Sequence, residues 1–201
     1  MSSEDLPRLI YLHGFKSSPQ SQKVTELREW LEREALPIEL VVPELGFAPD
    51  EAIARVSRNI ETAAGRPCGL MGSSLGGYYA SALGARYNLR SVLINPAVAP
   101  YRLLRRYIGV QENLYTGERF EVEEAHMDQL QAMDPSELAR PERFLVCLQT
   151  GDETLDYREA VHRYRHSPKW IQPGGDHRFQ GFPRILPAAL AFLKLLPGRR
   201  Y

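Results

Sequence analysis

Apolar and polar positions along the chain follow two alternating rhythms. Short continuous apolar runs, each closed by glycine, proline or a polar turn, alternate with longer stretches whose apolar residues recur at helical spacing. Arg8-Leu9-Ile10-Tyr11-Leu12-His13, closed by Gly14, predicts a buried first strand. Ser18-Pro19 predicts a helix start, with serine as cap and proline at the first helical position. Val24, Leu27, Leu31 and Leu36 give that helix one apolar face. A second strand is expected over 38–43, and a helix from Pro49-Asp50 through Ala63 with Ile53, Val56 and Ile60 on one stripe. The third strand covers 68–71, and a helix follows from Leu75 to about Tyr87. The fourth strand is 91–94, broken by Asn95-Pro96. The fifth is 144–149, followed by a helix around 157–164, and the sixth is 169–172, ended by Pro173-Gly174-Gly175. A closing helix runs from Pro183 to Leu196. Strands alternating with helices predict a parallel sheet covered on both faces and joined by right-handed crossovers.

One interval breaks the rhythm. About fifty residues separate Asn95 from the fifth strand, where a plain crossover needs a dozen or two. The interval mixes Leu103, Leu104, Tyr107, Ile108, Leu114, Tyr115, Phe120, Met127, Leu130 and Met133 with many charges. It leaves the carboxyl end of a strand, where open α/β sheets bind ligands, so residues 97–140 are expected to form a small helical lid rather than a decorated crossover.

Composition narrows the function classes. A chain of 201 residues without a Gly/Ser-rich or Pro-rich linker suits one domain, 1–201, with the lid inside it. Its 25 basic and 25 acidic side chains cancel, so nothing steers it toward nucleic acid or an anionic membrane. Cys68 and Cys147 both lie in apolar strand-like runs without metal spacing, and read as small buried residues. Met1–Asp5 lacks the basic start and apolar stretch of a signal peptide, and no uncharged run reaches the roughly 18 residues of a membrane span. A cytoplasmic protein is the expectation. No metal and no cofactor are called for, and the oligomeric state is unreadable.

The chemistry centres on Gly72-Ser73-Ser74-Leu75-Gly76. A short apolar strand, Gly-x-Ser-x-Gly and then a helix is the order that a nucleophile elbow requires. Ser74 would stand at the tip of a strained turn, with Gly72 and Gly76 sparing a collision across it. No Lys-Ser or Lys-Thr follows the glycines, which argues against a phosphate-cradling loop. An activated serine needs a base, and the base an orienting acid, in the chain order Ser, Asp or Glu, His. Asp152 follows the fifth strand and His177 the sixth; Glu153 or Asp156 could hold the imidazole instead, although Asp156 looks better placed to start the next helix. Of five histidines, His177 alone follows both a strand end and a Gly-Gly turn. Backbone N–H groups of Leu75 and Phe15 are the candidate oxyanion donors, with Gly14 turning the loop and the Phe15 side chain free to line an acyl pocket. His13 could equally be a satisfied core histidine.

With these residues in view, the chain resembles the YqiA-like family of small bacterial α/β-hydrolase esterases. The matching stretches are Tyr11-Leu12-His13-Gly14-Phe15 with Ser17-Ser18-Pro19, Gly72-Ser73-Ser74-Leu75-Gly76-Gly77-Tyr78-Tyr79, Asn95-Pro96-Ala97-Val98, Tyr115-Thr116-Gly117, Thr150-Gly151-Asp152-Glu153 through Arg158, and Gly174-Gly175-Asp176-His177. The resemblance implies an α/β-hydrolase fold of about six mainly parallel strands in the order 2-1-3-4-5-6. It implies a Ser74, Asp152 and His177 triad acting on short-chain acyl esters or thioesters of the acyl-CoA type, with His13, Asn95 and Tyr115 as substrate-pocket candidates. The rival expectations are hydrolysis of another acyl bond, amide or carbon–carbon, and an inert binding protein on the same fold.

Overall fold

The computed structural model describes residues 6–63, 65–113, 115–134 and 137–196. Met1–Asp5 and Leu114, both used above, lie outside them. Six strands form one parallel sheet: β1 (Arg8–Leu12), β2 (Glu39–Val41), β3 (Cys68–Ser73), β4 (Arg90–Ile94), β7 (Phe144–Gln149) and β8 (Lys169–Gln172). Their spatial order is β2-β1-β3-β4-β7-β8, which is the expected 2-1-3-4-5-6. Because every strand runs the same way, the loops after β1, β3, β4, β7 and β8 all leave at one edge of the sheet.

Period-two alternation along the strands builds the core as two layers. Ile10, Leu12, Leu70, Leu93, Val146 and Leu148 face one side, against Ile53, Val56 and Ile60 of α2 (Pro49–Glu61) and Tyr79 and Leu83 of α3 (Leu75–Tyr87). Leu9, Tyr11, Met71, Val92, Ile94 and Cys147 face the other. They meet Val24, Leu27 and Leu31 of α1 (Gln22–Arg33) and Leu186, Leu190 and Leu193 of α7 (Leu186–Leu193). α6 (Tyr157–Arg163) starts at Asp156, whose carboxylate accepts from Arg158 N–H. Burial pushes the Cys147 thiol up to about 12 and the Cys68 thiol up to about 11, so both are neutral free cysteines. Among the described residues no helix is long and apolar enough to cross a membrane.

Three helix ends differ from the sequence expectation, the plainest being α2, which stops at Glu61 rather than Ala63. α1 begins at Gln22 rather than Pro19, because Ser18 closes a turn first: its hydroxyl accepts from Gln20 N–H at 3.1 Å and its carbonyl from Ser21 N–H at 3.1 Å. The closing helix is a short 3-10 turn over Phe182–Ile185 followed by α7, and it ends at Leu193, not Leu196. Lys194 takes a left-handed conformation (φ 59°), and Leu195 N–H returns to the Leu190 carbonyl, closing the helix as a C-terminal cap.

Between β4 and β7 lie α4 (Pro100–Leu103), a 3-10 turn over Leu104–Tyr107, and α5 (Glu124–Ala132). Alongside these helices the segment carries an antiparallel hairpin of β5 (Gly109–Glu112) and β6 (Arg119–Val122) that the helical expectation omitted. Phe120 and Val122 alternate with exposed Arg119 and Glu121, so Phe120 stacks on Phe47 with ring centroids 3.5 Å apart. The connecting loop turns on Asn113, whose side-chain oxygen accepts from Tyr115 and Thr116 N–H, and on Gly117 at φ 71°. The hairpin is tied to the loop after β1: Asn113 donates to the Ser17 carbonyl, and Lys16 to the Gln111 side chain.

Candidate active site

Ser74 links β3 to α3 at φ 57° and ψ −120°, a strained conformation for a residue with a side chain. The surroundings enforce it. Ser74 N–H donates to the Ile94 carbonyl, and its own carbonyl accepts from Tyr78 and Ala97 N–H. A Cβ at Gly72 would sit 2.1 Å from the Gly76 carbonyl oxygen, and one at Gly76 would sit 2.0 Å from that of Leu12. The elbow glycines therefore permit close backbone packing of α3 onto β3 and β1, and not only a clearance between their own positions.

Two neighbouring strand ends bring the partners. His177 Nε2 lies 3.1 Å from Ser74 Oγ, and its Nδ1 lies 2.8 Å and 3.0 Å from the two Asp152 carboxylate oxygens. The Asp152 side chain is only 2% exposed and also accepts from Thr154 and Leu155 N–H, both at 2.9 Å. Three donors, the ring N–H shared between both oxygens and two backbone N–H groups, thus orient a carboxylate sealed from solvent. The alternatives at this position go elsewhere: Glu153 accepts the backbone N–H of His177 at 3.0 Å, and Asp156 caps α6.

The loop carrying His177 is held by residues that sequence reasoning did not assign to that task. Gln149, buried at the end of β7, accepts from Asp176 N–H (3.1 Å) and Gln180 N–H (2.9 Å). Its amide donates to the Gln180 carbonyl (2.7 Å) and the Gln172 side chain (2.8 Å). A glutamine closing the otherwise apolar run Phe-Leu-Val-Cys-Leu was the only sequence signal. Asn95, a pocket candidate, is 2% exposed and turned inward instead, accepting from Gln149 N–H at 3.0 Å and donating to the Asp176 carbonyl at 3.0 Å. It braces the loop and lines neither cavity beside Ser74.

His13 is likewise committed internally. Its Nε2 accepts from Leu45 N–H and its Nδ1 faces the Gly14 carbonyl, a pattern that fits a neutral ring with the proton on Nδ1. Burial lowers its pKa below the ordinary value of 6.5, so the 3.7 Å approach of the half-exposed Glu44 is a contact and not an ion pair. The ring fixes the loop that follows. That loop presses on the elbow, since a Cβ at Gly14 would meet Ser74 Cβ at 3.4 Å. Neither Phe15 nor Leu75 donates its backbone N–H to another described residue.

Ser74 opens onto two cavities that differ in character. One, of about 280 Å³, is walled mainly by Phe15, Leu75, Leu103, Leu104, Tyr107 and Leu155, with Lys16 and Arg106 also at its lining. The other, of about 540 Å³, is lined by Tyr11, Ser21, Lys23, Glu26, Tyr115 and Arg178 among others. Tyr115 thus stands at the wall of the larger cavity. Among the described residues no group of three or more His, Cys, Asp or Glu could hold a metal ion.

Structural comparison places the chain among α/β-hydrolases. Est1E from Butyrivibrio proteoclasticus, solved with ferulic acid, matches with a TM-score of 0.67 and 12% identity, covering 95% of this chain and 88% of that one. Alpha/beta hydrolase domain-containing protein 10 from mouse matches with a TM-score of 0.70 and 16% identity over 94% and 89%. The Pyrococcus furiosus esterase Pf2001 matches with 0.57 and 13% over 98% and 84%. At such identities the likeness speaks for the fold. A family model matches residues 8–194 as well, and so the chain belongs to the uncharacterised protein family UPF0227, the YqiA-like α/β-hydrolases.

Proposed function

We propose that this protein is a serine hydrolase cleaving short-chain acyl esters or thioesters through an acyl-enzyme on Ser74. The observation that carries the reading is the continuous hydrogen-bonded chain from Ser74 Oγ through the His177 ring to a buried Asp152 that two backbone N–H groups also hold. His177 Nε2 accepts the Ser74 proton as Oγ attacks the carbonyl carbon, and Asp152 stabilises the imidazolium that forms. The uncommitted N–H groups of Phe15 and Leu75, the latter at the N-terminus of α3, are the donors for the oxyanion. His177 then protonates the departing alcohol or thiol. A water deprotonated by His177 attacks the acyl-enzyme, the tetrahedral adduct collapses, and the proton returns to Ser74. The apolar cavity beside Leu103 and Leu104 suits the acyl chain. One of the matched structures, that of the Pyrococcus furiosus protein, is an esterase, which agrees with this class.

The test is turnover of p-nitrophenyl butyrate and of a butyryl thioester. Ser74→Ala should reduce both to background while thermal unfolding remains cooperative. Near wild-type turnover in that variant would remove Ser74 as the nucleophile.

A further inference from the structure

The hydrolytic cycle uses nothing from the larger cavity except its mouth, yet that cavity holds charge. Lys23 projects from the first turn of α1 among Tyr11, Ser21, Glu26 and Arg178. Its ammonium makes no hydrogen bond or ion pair with any described residue. Burial lowers its pKa, while Glu26, Asp176 and Asp152 favour its charged form and Arg178 opposes it. Lys23 is half-buried at the cavity wall and shares its ammonium with no carboxylate at ion-pair distance among the described residues, so an anion entering the cavity would meet an uncommitted donor. The acids nearby stand beyond ion-pair distance from the ammonium: the Glu26 carboxylate accepts the Gln22 amide at 2.8 Å, and Asp176 accepts the Gln180 amide through one oxygen while the other is buried without a partner.

The backbone agrees. Ser21 occupies the N-cap of α1 without a side-chain bond to the first turn, no acidic residue lies in that turn, and Ser21, Gln22 and Lys23 all line the cavity. Uncapped N–H groups, the positive end of a 12-residue helix and an unpaired ammonium therefore converge on one wall. Arg178 and Lys16, the latter lining both cavities, bring the basic groups of the larger one to three, against two acids, Glu26 and Asp176.

We propose that Lys23 and the first turn of α1 form a subsite for an anionic group on the leaving alcohol or thiol, so that the substrate is apolar on the acyl side of the scissile carbonyl and anionic on the other. This rests on Ser74 being the nucleophile. Both cavities meet at Ser74 and His177, and an apolar acyl chain fills the one walled by Leu103, Leu104 and Leu155. The half that departs is left with the charged cavity. Its anion, a carboxylate or a phosphate, would accept from Lys23 and the α1 N–H groups, giving Lys23 a role in specificity rather than in bond cleavage.

The experiment compares two thioesters with one acyl group and leaving thiols of one shape: S-butyryl-3-mercaptopropionate and its neutral carboxamide. Wild-type protein should favour the carboxylate in kcat/KM by roughly tenfold, as expected for a charge-assisted hydrogen bond, mostly through KM and less so as ionic strength rises. Lys23→Met should bring the ratio of the two substrates toward one, and Lys23→Arg should retain most of it. A wild-type ratio of one or less, or a ratio unchanged in a folded Lys23→Met, overturns the subsite. The same gain from a carboxylate on the acyl group, in a hemisuccinyl thioester, overturns its assignment to the leaving group. Should Lys23→Met not fold, the wild-type ratio and its salt dependence still decide. If the Ser74 reading itself is wrong, both thioesters will be cleaved as well by Ser74→Ala as by wild type, or by neither. If only the Lys23 inference is wrong, cleavage will depend on Ser74 and ignore the charge.

Discussion

Replacing Gln149 by methionine keeps the approximate volume of the side chain and removes its amide. Four hydrogen bonds go, and three of them end on the backbone of the loop that carries His177: the N–H groups of Asp176 and Gln180 and the carbonyl of Gln180. A buried polar group left without a partner costs about 1–3 kcal/mol. Asp176 is half-buried and Gln180 exposed, so water can reach part of the freed backbone and the total should fall near 2–4 kcal/mol. The effect on turnover should be larger than that loss suggests. Displacing a reacting group by about 1 Å costs on the order of 100-fold, and Gln149 bonds to the chain on both sides of His177. Urea unfolding gives the stability change. Initial rates on p-nitrophenyl acetate, at a temperature where the variant is fully folded, give kcat and KM separately. The expected result is kcat down by roughly 100-fold with KM changed only a few-fold. Gln149→Glu, which keeps both acceptor bonds, should fall in between. A methionine variant that loses the stated stability but retains wild-type kcat would show that Gln149 does not position His177.

Three further outcomes follow from the same geometry. Asp152→Asn should lower kcat by about 10⁴-fold, the loss seen when such an acid is neutralised in a Ser-His-Asp site, with stability tracked by thermal melts. Because burial lowers the His13 pKa, the unfolded chain binds the proton more readily; its contribution to stability is present above pH 6.5 and is lost as pH falls below that value. Urea midpoints between mildly acidic and neutral pH should accordingly fall more steeply for wild type than for His13→Gln. In the 280 Å³ cavity each added methylene of an acyl chain gains about 0.8 kcal/mol, near fourfold in kcat/KM, until the space is filled. Leu104→Trp should move that break to a shorter chain in a series of p-nitrophenyl esters.

What could be read from the chain, and what could not, divides along physical lines. The sheet was legible because its inner strands are buried on both faces: runs such as Phe144–Leu148 have to be apolar throughout, and glycine or proline marks their ends. Ser74, Asp152 and His177 were legible as a set because parallel strands deliver successive loops to one edge, so chain order translates into proximity; the structure brings the three within hydrogen-bond distance. The hairpin of β5 and β6 was missed because only Phe120 and Val122 face inward while charged neighbours dilute the alternation, and its inner face packs on Phe15 and Phe47, remote in sequence. Asn95 reads like a pocket residue from its position after a strand. Its left-handed backbone, φ 38°, and its bonds to Gln149 and Asp176 are products of tertiary packing that no local pattern encodes. Lys23 drew no notice for a similar reason: on a helix it reads as solvated, and only the fold turns that end of α1 toward Ser74.

The account stands on Ser74 being made nucleophilic by the ring of His177, and covalent labelling tests this most directly. A fluorophosphonate should add to the wild-type protein once per chain, with the adduct mapped by peptide mass to Ser74, and His177→Ala should slow the addition by orders of magnitude. An adduct on another residue, or labelling of Ser74 at an undiminished rate in His177→Ala, would contradict it.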